Sequence, residues 1–243
     1  MEEAAELANY LPLSYKSPKE QEYIAFLWDA FETNYTHEKY QFAFLAYHML
    51  TMSFVYFNIW QIKQTRPDDF EKAMIGFNKE LEKELLAATS PFTFWRINES
   101  SVMRFFKLIG CDNNKIGSYA ALVKERNDTA HTNGNIFFST QAALDEKIVE
   151  VLRVVAEIQV HSRPVIEHCF QEFLLHNYDP EDREYADDAD QIREVLIHAN
   201  YLSQKDVEIC LSFDINTLAS EVAFLAIKAL FDAFVALYPA DEA

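Results

Sequence analysis

Glycine and proline are scarce in this chain: its 243 residues include 4 Gly and 7 Pro, against 20 Phe and 12 Tyr. Both scarce residues interrupt helices and form the tight turns that join strands, so their scarcity argues against a turn-rich β fold. Half of the residues are hydrophobic, which is enough to fill a substantial core at this length. The composition therefore predicts an all-α protein.

Cysteine is also scarce, and its spacing excludes the common metal and redox motifs. Cys111, Cys169 and Cys210 lie too far apart for a C-x-x-C pair, and an odd number fits a reducing compartment. The sequence holds no E-x-x-H or H-E-x-x-H pairing, and Glu157 with His161 fits a solvated or interface face better than a metal site. No basic region precedes an early apolar run, so a secretory signal is not expected. We predict a cytoplasmic protein without a bound metal or cofactor.

Positive charge is in short supply, with 21 Lys and Arg against 39 Asp and Glu and a net charge of −18. Nucleic-acid binding gains its affinity from neutralised phosphates, so this balance argues against a general binder. Residues 91–135 nevertheless carry six cations against four anions. A locally cationic site on an acidic body would hold a selected RNA and repel bulk RNA, or would need a basic antitoxin or another regulatory partner. Charge leaves both interpretations open.

Formal charge is entirely absent from Phe42 to Trp60, a run of 19 residues that is long enough to span a membrane. His48 and Asn58 dilute its apolar character, and acidic residues lie on both sides without a bias of Lys and Arg. We interpret the run as the central helix of a bundle, with no membrane association and with His48 as a core histidine.

Start signals and charge divide the chain into four segments. Ser17-Pro18-Lys19-Glu20 is a capping box with proline at the first helical position, which begins the first long helix. Residues 1–16 are predicted to be a loosely attached arm, and residues 17–176 a helical bundle. Residues 177–190 form an acidic linker, because 178–190 holds seven acids and one arginine. Residues 191–243 are predicted to add C-terminal helices on the same core. Within the bundle, one helix is expected from Pro67 to about Ala88.

The stretch 121–134 concentrates the groups that carry chemistry. Arg126, Asn127 and His131 fit the pattern R-N-x-x-x-H on a predicted helix. Residues four apart share a helix face, so Asn127 lies beneath His131 and could orient its ring. Arg126 and His131 are about 140° apart around an ideal helix. They converge on one ligand only if the helix ends near His131 or if a second chain completes the site. Asn133-Gly134 is the expected stop.

This combination of side chains suits metal-free cleavage of RNA. The attacking 2′-hydroxyl needs a base, the departing oxygen needs an acid, and the pentacoordinate phosphate needs a fixed positive charge. Histidine transfers protons near neutral pH, and arginine offers a planar donor fork that matches phosphate oxygens. The alternative is structural: a surface Arg126, and a His131 that neutralises the carbonyls at the end of its helix.

The R-N-x-x-x-H motif in an all-helical setting resembles the HEPN superfamily (higher eukaryotes and prokaryotes nucleotide-binding domain). Its members are helical bundles, many of them metal-independent endoribonucleases of toxin–antitoxin, phage-defence and CRISPR systems. The resemblance implies that Arg126 and His131 are catalytic and that Asn127 is their polar neighbour. It also implies a toxin or antiviral defence role. Some members carry a modifiable tyrosine two residues after the histidine, where this chain has Asn133. A non-catalytic helical module that binds nucleotide or a protein partner is the alternative.

Two further expectations concern how RNA is bound. Acid–base cleavage uses two proton carriers and one motif supplies a single histidine, so we predict a homodimer with facing motif helices. Phe92, Phe94 and Trp95 beside Arg96 would either stack bases or plug the end of the bundle. The candidate RNA contacts of lower specificity are Arg104, Lys107, Lys115 and Lys124.

Overall fold

A computed structural model describes residues 2–131 and 134–239, and this part of the chain is helical, as predicted. Short 3₁₀ segments and one π-helical segment (Ile192–His198) join the α-helices, and the bridge between Pro12 and Ser203 is isolated. The α-helices are α1 (Glu2–Ala5), α2 (Pro18–Thr36), α3 (Tyr40–Thr65), α4 (Pro67–Ala73), α5 (Lys79–Leu86), α6 (Glu99–Val102), α7 (Asn113–Ala130), α8 (Gln141–Asn177), α9 (Asp188–Gln191), α10 (Gln204–Leu211) and α11 (Phe224–Leu237).

Helices α2 and α3 form the centre of the bundle. The predicted capping box begins α2: Ser17 Oγ accepts a hydrogen bond from the N–H of Lys19, and Glu20 Oε2 accepts one from the N–H of Ser17. Among the described residues, α3 is the one helix long and apolar enough to cross a membrane. However, 83% of its most apolar 18-residue window is buried inside the protein, as expected for a core helix.

Helix α8 belongs to two clusters of buried apolar side chains. Its first half packs with α2, α3 and α7, whereas the side chains from Ile166 onward pack with the helices that follow. The chain passes through Pro164 without ending the helix. The C-terminal helices therefore form a second cluster around the end of α8, instead of simply extending the first.

A buried polar network joins the two halves of the molecule. The carboxylate of Asp206 accepts hydrogen bonds from Gln61 Nε2 (3.0 Å), Gln159 Nε2 (2.6 Å) and the N–H and Oγ of Ser203 (2.9 Å each). Burial raises the pKa of Asp206, although these hydrogen bonds oppose the shift. Because a buried polar group is costly without its partners, the network fixes how α10 sits against α3 and α8.

Three predicted segments differ from the structure. The described part of the arm is packed, because Ala4, Leu7 and Leu11 are apolar and almost fully buried. The linker is ordered around the buried Arg183 side chain, which contacts Asp188 at 2.5 Å. The helix expected over 67–88 is two helices, α4 and α5, because the chain turns at Gly76 with a φ of +100°. That left-handed conformation suits glycine and interrupts a helix.

Candidate active site

Helix α7 ends between Arg126 and His131 of the motif. Asp112 caps its start by accepting a hydrogen bond from the N–H of Lys115 (2.9 Å). At the other end, the N–H of His131 donates to the carbonyl of Asn127 (3.1 Å), and His131 itself adopts an extended conformation with ψ of 147°. Arg126 therefore lies within the helix, four residues before Ala130, and His131 is the first residue past the helix. The helix thus ends near His131, as convergence of the two side chains on one ligand would require.

Gln41 of α3 holds this helix end in place. Its Nε2 donates to the carbonyl of Thr129 (3.0 Å), and its Oε1 accepts from the N–H of Phe137 (3.0 Å). The chain thus stops its helix before the expected Asn133-Gly134. Gly134 does adopt a positive φ of 81°, whereas Asn133 lies outside the described residues.

The three motif residues have different surroundings. Arg126 is partly buried, with 27% of its side chain exposed. Asn127 is half-buried, and His131 is exposed to solvent. Exposure leaves His131 accessible to a ligand, whereas Arg126 is already engaged in contacts inside the protein.

Arg126 is bound by a carboxylate that sequence reasoning did not single out. Glu99 lies at the start of α6, and its Oε2 contacts both Arg126 Nη2 and His48 Nε2. The distance from Glu99 Oε2 to His48 Nε2 is 3.0 Å. His48 comes from the buried face of α3 and is 3% exposed. The structure thus assigns this core histidine a partner. A second nitrogen of the Arg126 guanidinium, Nε, is buried without a hydrogen-bond partner among the described residues.

These contacts determine the charge of Glu99. Burial alone raises the pKa of its carboxyl group, but the hydrogen bonds from His48 and Arg126 outweigh burial and lower the pKa to about 2. Glu99 is consequently an anion throughout the physiological range. Its negative charge fixes the guanidinium of Arg126 in orientation and offsets part of its positive charge.

Replacing Glu99 with glutamine is expected to lower the free energy of unfolding at pH 7 by about 1–2 kcal/mol. This is the lower range for charged hydrogen bonds, because solvent screens a partly exposed carboxylate. Since the folded pKa is below the ordinary value, the stabilisation is complete above about pH 4.5 and is lost as the pH falls towards 2. Urea unfolding of both proteins from pH 7 to pH 3 measures the difference. A difference that stays constant down to pH 3 would contradict the ion pair.

The candidate RNA contacts do not form one surface. Lys124 is exposed on α7, near the motif. Arg104 and Lys107 line a separate cavity of about 500 Å³ beside Gly76. Lys115 lies eleven residues before Arg126, about 16 Å along the helix axis.

Lys115 is engaged with α8. Its Nζ lies 2.7 Å from Glu157 Oε1 and 2.7 Å from His161 Nε2. Glu157 and His161, the carboxylate and imidazole four residues apart on α8, thus both have Lys115 as their partner. No group of three or more potential ligands that could hold a metal ion occurs in residues 2–131 and 134–239.

A groove of about 760 Å³ adjoins the carboxylate that binds Arg126. Glu99 lines it together with Tyr23, Tyr56, Phe92 and Trp95. Phe94, by contrast, is fully buried and plugs the bundle, whereas the stacking of bases on Phe92 and Trp95 stays a prediction. The sequence signal for the groove was the aromatic stretch beside Arg96, but the convergence of Phe92 and Trp95 with α2 and α3 is a tertiary property.

No protein-family model, curated protein or solved structure matches this chain, so the candidate site stands on its own geometry.

Proposed function

We propose that this protein is a metal-independent endoribonuclease of the HEPN type. The observation that carries the proposal is the end of α7 at Ala130, which leaves His131 exposed just beyond the helix while Arg126 lies inside it, four residues before its end. A proton carrier and a fixed cation at one helix end are what cleavage through the 2′-hydroxyl requires.

The proposed roles follow from these positions. The 2′-oxygen attacks the adjacent phosphorus, its proton passes to a base, and the bond from phosphorus to the 5′-oxygen breaks as that oxygen receives a proton. His131 carries one of these protons, with Asn127 as its polar neighbour, and Arg126 binds the phosphate. Glu99 positions Arg126, and one carboxylate oxygen does not exhaust the five N–H donors of a guanidinium.

The negative net charge of the chain affects which RNA can reach the site. A net charge of −18 repels bulk RNA, which favours a selected substrate or a carrier protein, and an antitoxin or regulatory partner would suit a toxin or antiviral defence role. A homodimer would bring two imidazoles and two guanidiniums to one RNA strand. The three cysteines are free, which is compatible with a cytoplasmic location.

Cleavage is expected to persist in excess EDTA and to leave a 2′,3′-cyclic phosphate and a 5′-hydroxyl. The internal 2′-hydroxyl is the nucleophile in this scheme, so no metal-activated water is needed. Incubation of single-stranded RNA with the protein, followed by 5′-end labelling with and without phosphatase, identifies the ends. A His131→Ala preparation purified in parallel controls for contaminating nucleases. A strict Mg²⁺ requirement or 5′-phosphate ends would rule out this mechanism.

A second candidate is a non-catalytic helical module that binds nucleotide or a protein partner. The ion pair between Arg126 and Glu99 favours it, because such a contact also serves a purely structural purpose. Under this alternative, RNA remains intact with or without metal, and wild type and His131→Ala behave identically in the same assay.

A further inference from the structure

The groove beside Glu99 has the size and chemistry of a ligand site. Its volume of about 760 Å³ lies within the range of small-molecule pockets, roughly 300–1,000 Å³. Aromatic side chains from α2, α3 and the Pro91–Arg96 segment form its walls, with lysines at its rim. Such a combination of aromatic and charged groups accepts a flat ring that carries hydrogen-bonding edges and a phosphate.

The aromatic rings of the groove are partly open to solvent. Tyr23 is 40% exposed and Trp95 is 65% exposed, although large apolar side chains are usually covered. Phe92 supports Tyr23 edge-on, with ring centroids 5.3 Å apart and an interplanar angle of 87°. Exposed aromatic rings are suited to stacking with nucleobases, and the contact with Phe92 holds the Tyr23 ring in place.

Glu99 connects the groove to the Arg126 end of α7. Burial raises the pKa of Tyr56 on the groove wall, the charge of Glu99 raises it further, and the charge of Arg126 lowers it. Because Arg126 contacts Glu99, its guanidinium lies beside the groove lining. A nucleotide whose base occupies the groove would place its backbone near Arg126.

The chemistry of the carboxylate selects among bases. Both His48 and Arg126 contact Oε2 of Glu99, so within the described chain Oε1 is left to accept a hydrogen bond. Adenine, cytosine and guanine offer an exocyclic amine to such an acceptor, whereas uracil flanks its single N–H with two carbonyl oxygens. Lys16 and Lys19 at the rim supply positive charge for phosphates.

Glu20, the other carboxylate of the groove, is already satisfied. It accepts hydrogen bonds from Ser90 Oγ (2.5 Å), Tyr201 Oη (2.9 Å) and the N–H of Ser17 (3.3 Å). These contacts join the start of α2 to Ser90 and Tyr201, which also line the groove. Glu99 is thus the acceptor that a ligand would meet.

We propose that this groove is a nucleobase subsite for the RNA substrate, which stacks an unpaired base on Tyr23 and Trp95 and prefers an amine-bearing base over uracil through Glu99. The inference rests on the proposed endoribonuclease function and extends it to substrate selection.

Binding to a cleavage-deficient protein tests the subsite separately from the reaction. Fluorescein-labelled octamers of adenylate, cytidylate and uridylate are titrated into His131→Ala protein, and anisotropy is measured at low salt. We expect the uridylate octamer to bind about 10-fold more weakly than the other two. Adding Trp95→Ala should weaken the two preferred octamers about 10-fold, because one stacking contact is lost. Phe26→Ala is the matched control: Phe26 is an exposed aromatic residue of α2 outside the groove, and its removal should change nothing.

The outcomes separate the subsite from the reaction. Selective binding that depends on Trp95 supports the subsite, even if the wild-type protein does not cleave RNA. Cleavage by the wild type, with equal affinity for all three octamers or no effect of Trp95→Ala, would overturn the subsite and leave the proposed reaction standing. Absence of RNA binding in every protein would also overturn the subsite.

Discussion

Substituting alanine for His131 is expected to lower the rate of RNA cleavage by about 10³-fold, within the range attributed to a positioned proton carrier. The melting temperature should hardly change, since the side chain is exposed and lies beyond the last turn of α7. The measurement is single-turnover cleavage of a labelled RNA, together with circular dichroism of both proteins. Toxicity on expression should disappear with the activity.

A matched substitution distinguishes chemistry from a general effect at a helix end. His176 is likewise an exposed histidine at the end of a helix: it lies in the last turn of α8, with 70% of its side chain exposed. His176→Ala should retain full activity and nearly full stability. If His131→Ala unfolds the protein, or if both substitutions have the same small effect, the structural interpretation of the motif is favoured.

Arg126 requires a more careful comparison than His131. Arg126→Ala removes the phosphate-binding cation and also leaves the Glu99 carboxylate without its ion-pair partner. We therefore expect loss of both cleavage and some stability. Arg126→Lys keeps the charge but lacks the planar donor fork, so it should recover stability without recovering full activity.

Activity is expected to depend on pairing of two chains. At protein concentrations below the dissociation constant of the dimer, cleavage per chain should fall towards zero, since one motif supplies a single histidine. Light scattering and cleavage rates across a dilution series should show parallel transitions. The dimer interface is predicted to bring the two copies of His131 to one cleft.

Mixing two inactive variants tests whether the chains share a site. An Arg126→Ala chain retains His131, and a His131→Ala chain retains Arg126, so mixed dimers should recover part of the cleavage that each variant lacks alone. Each variant at the same total concentration is the control. A monomer that keeps full specific activity at high dilution would contradict the shared cleft.

Local signals in the sequence predicted much of the helical framework. Ser17 and Glu20 identified the start of α2, and the uncharged run identified α3, because capping and hydrophobicity are properties of neighbouring residues. The same reasoning missed the break at Gly76, where the apolar pattern continues through a left-handed turn.

Local sequence signals could not predict which side chains surround the motif. His48 and Glu99 are 51 residues apart in sequence, yet their side chains are hydrogen-bonded to each other. Glu99 in turn contacts Arg126. Gln41, which holds the end of α7, likewise comes from α3. Polar pairs of this kind have no periodic signature, and the packing of α3 against α6 and α7 decides which of them meet.

Helix α8 is shared by the two apolar clusters, and this affects how they unfold. At 37 residues it extends about 55 Å, with its residues up to Val165 in the first apolar cluster and those from Ile166 onward in the second. Its first half is also tied to α7 through the contact of Lys147 with Glu125 (2.7 Å). Because Pro164 lacks an N–H, one backbone hydrogen bond is missing near the boundary between the clusters. We therefore expect the C-terminal cluster to open as a separate unit once the Asp206 network is broken, while the first part of α8 continues to support α7.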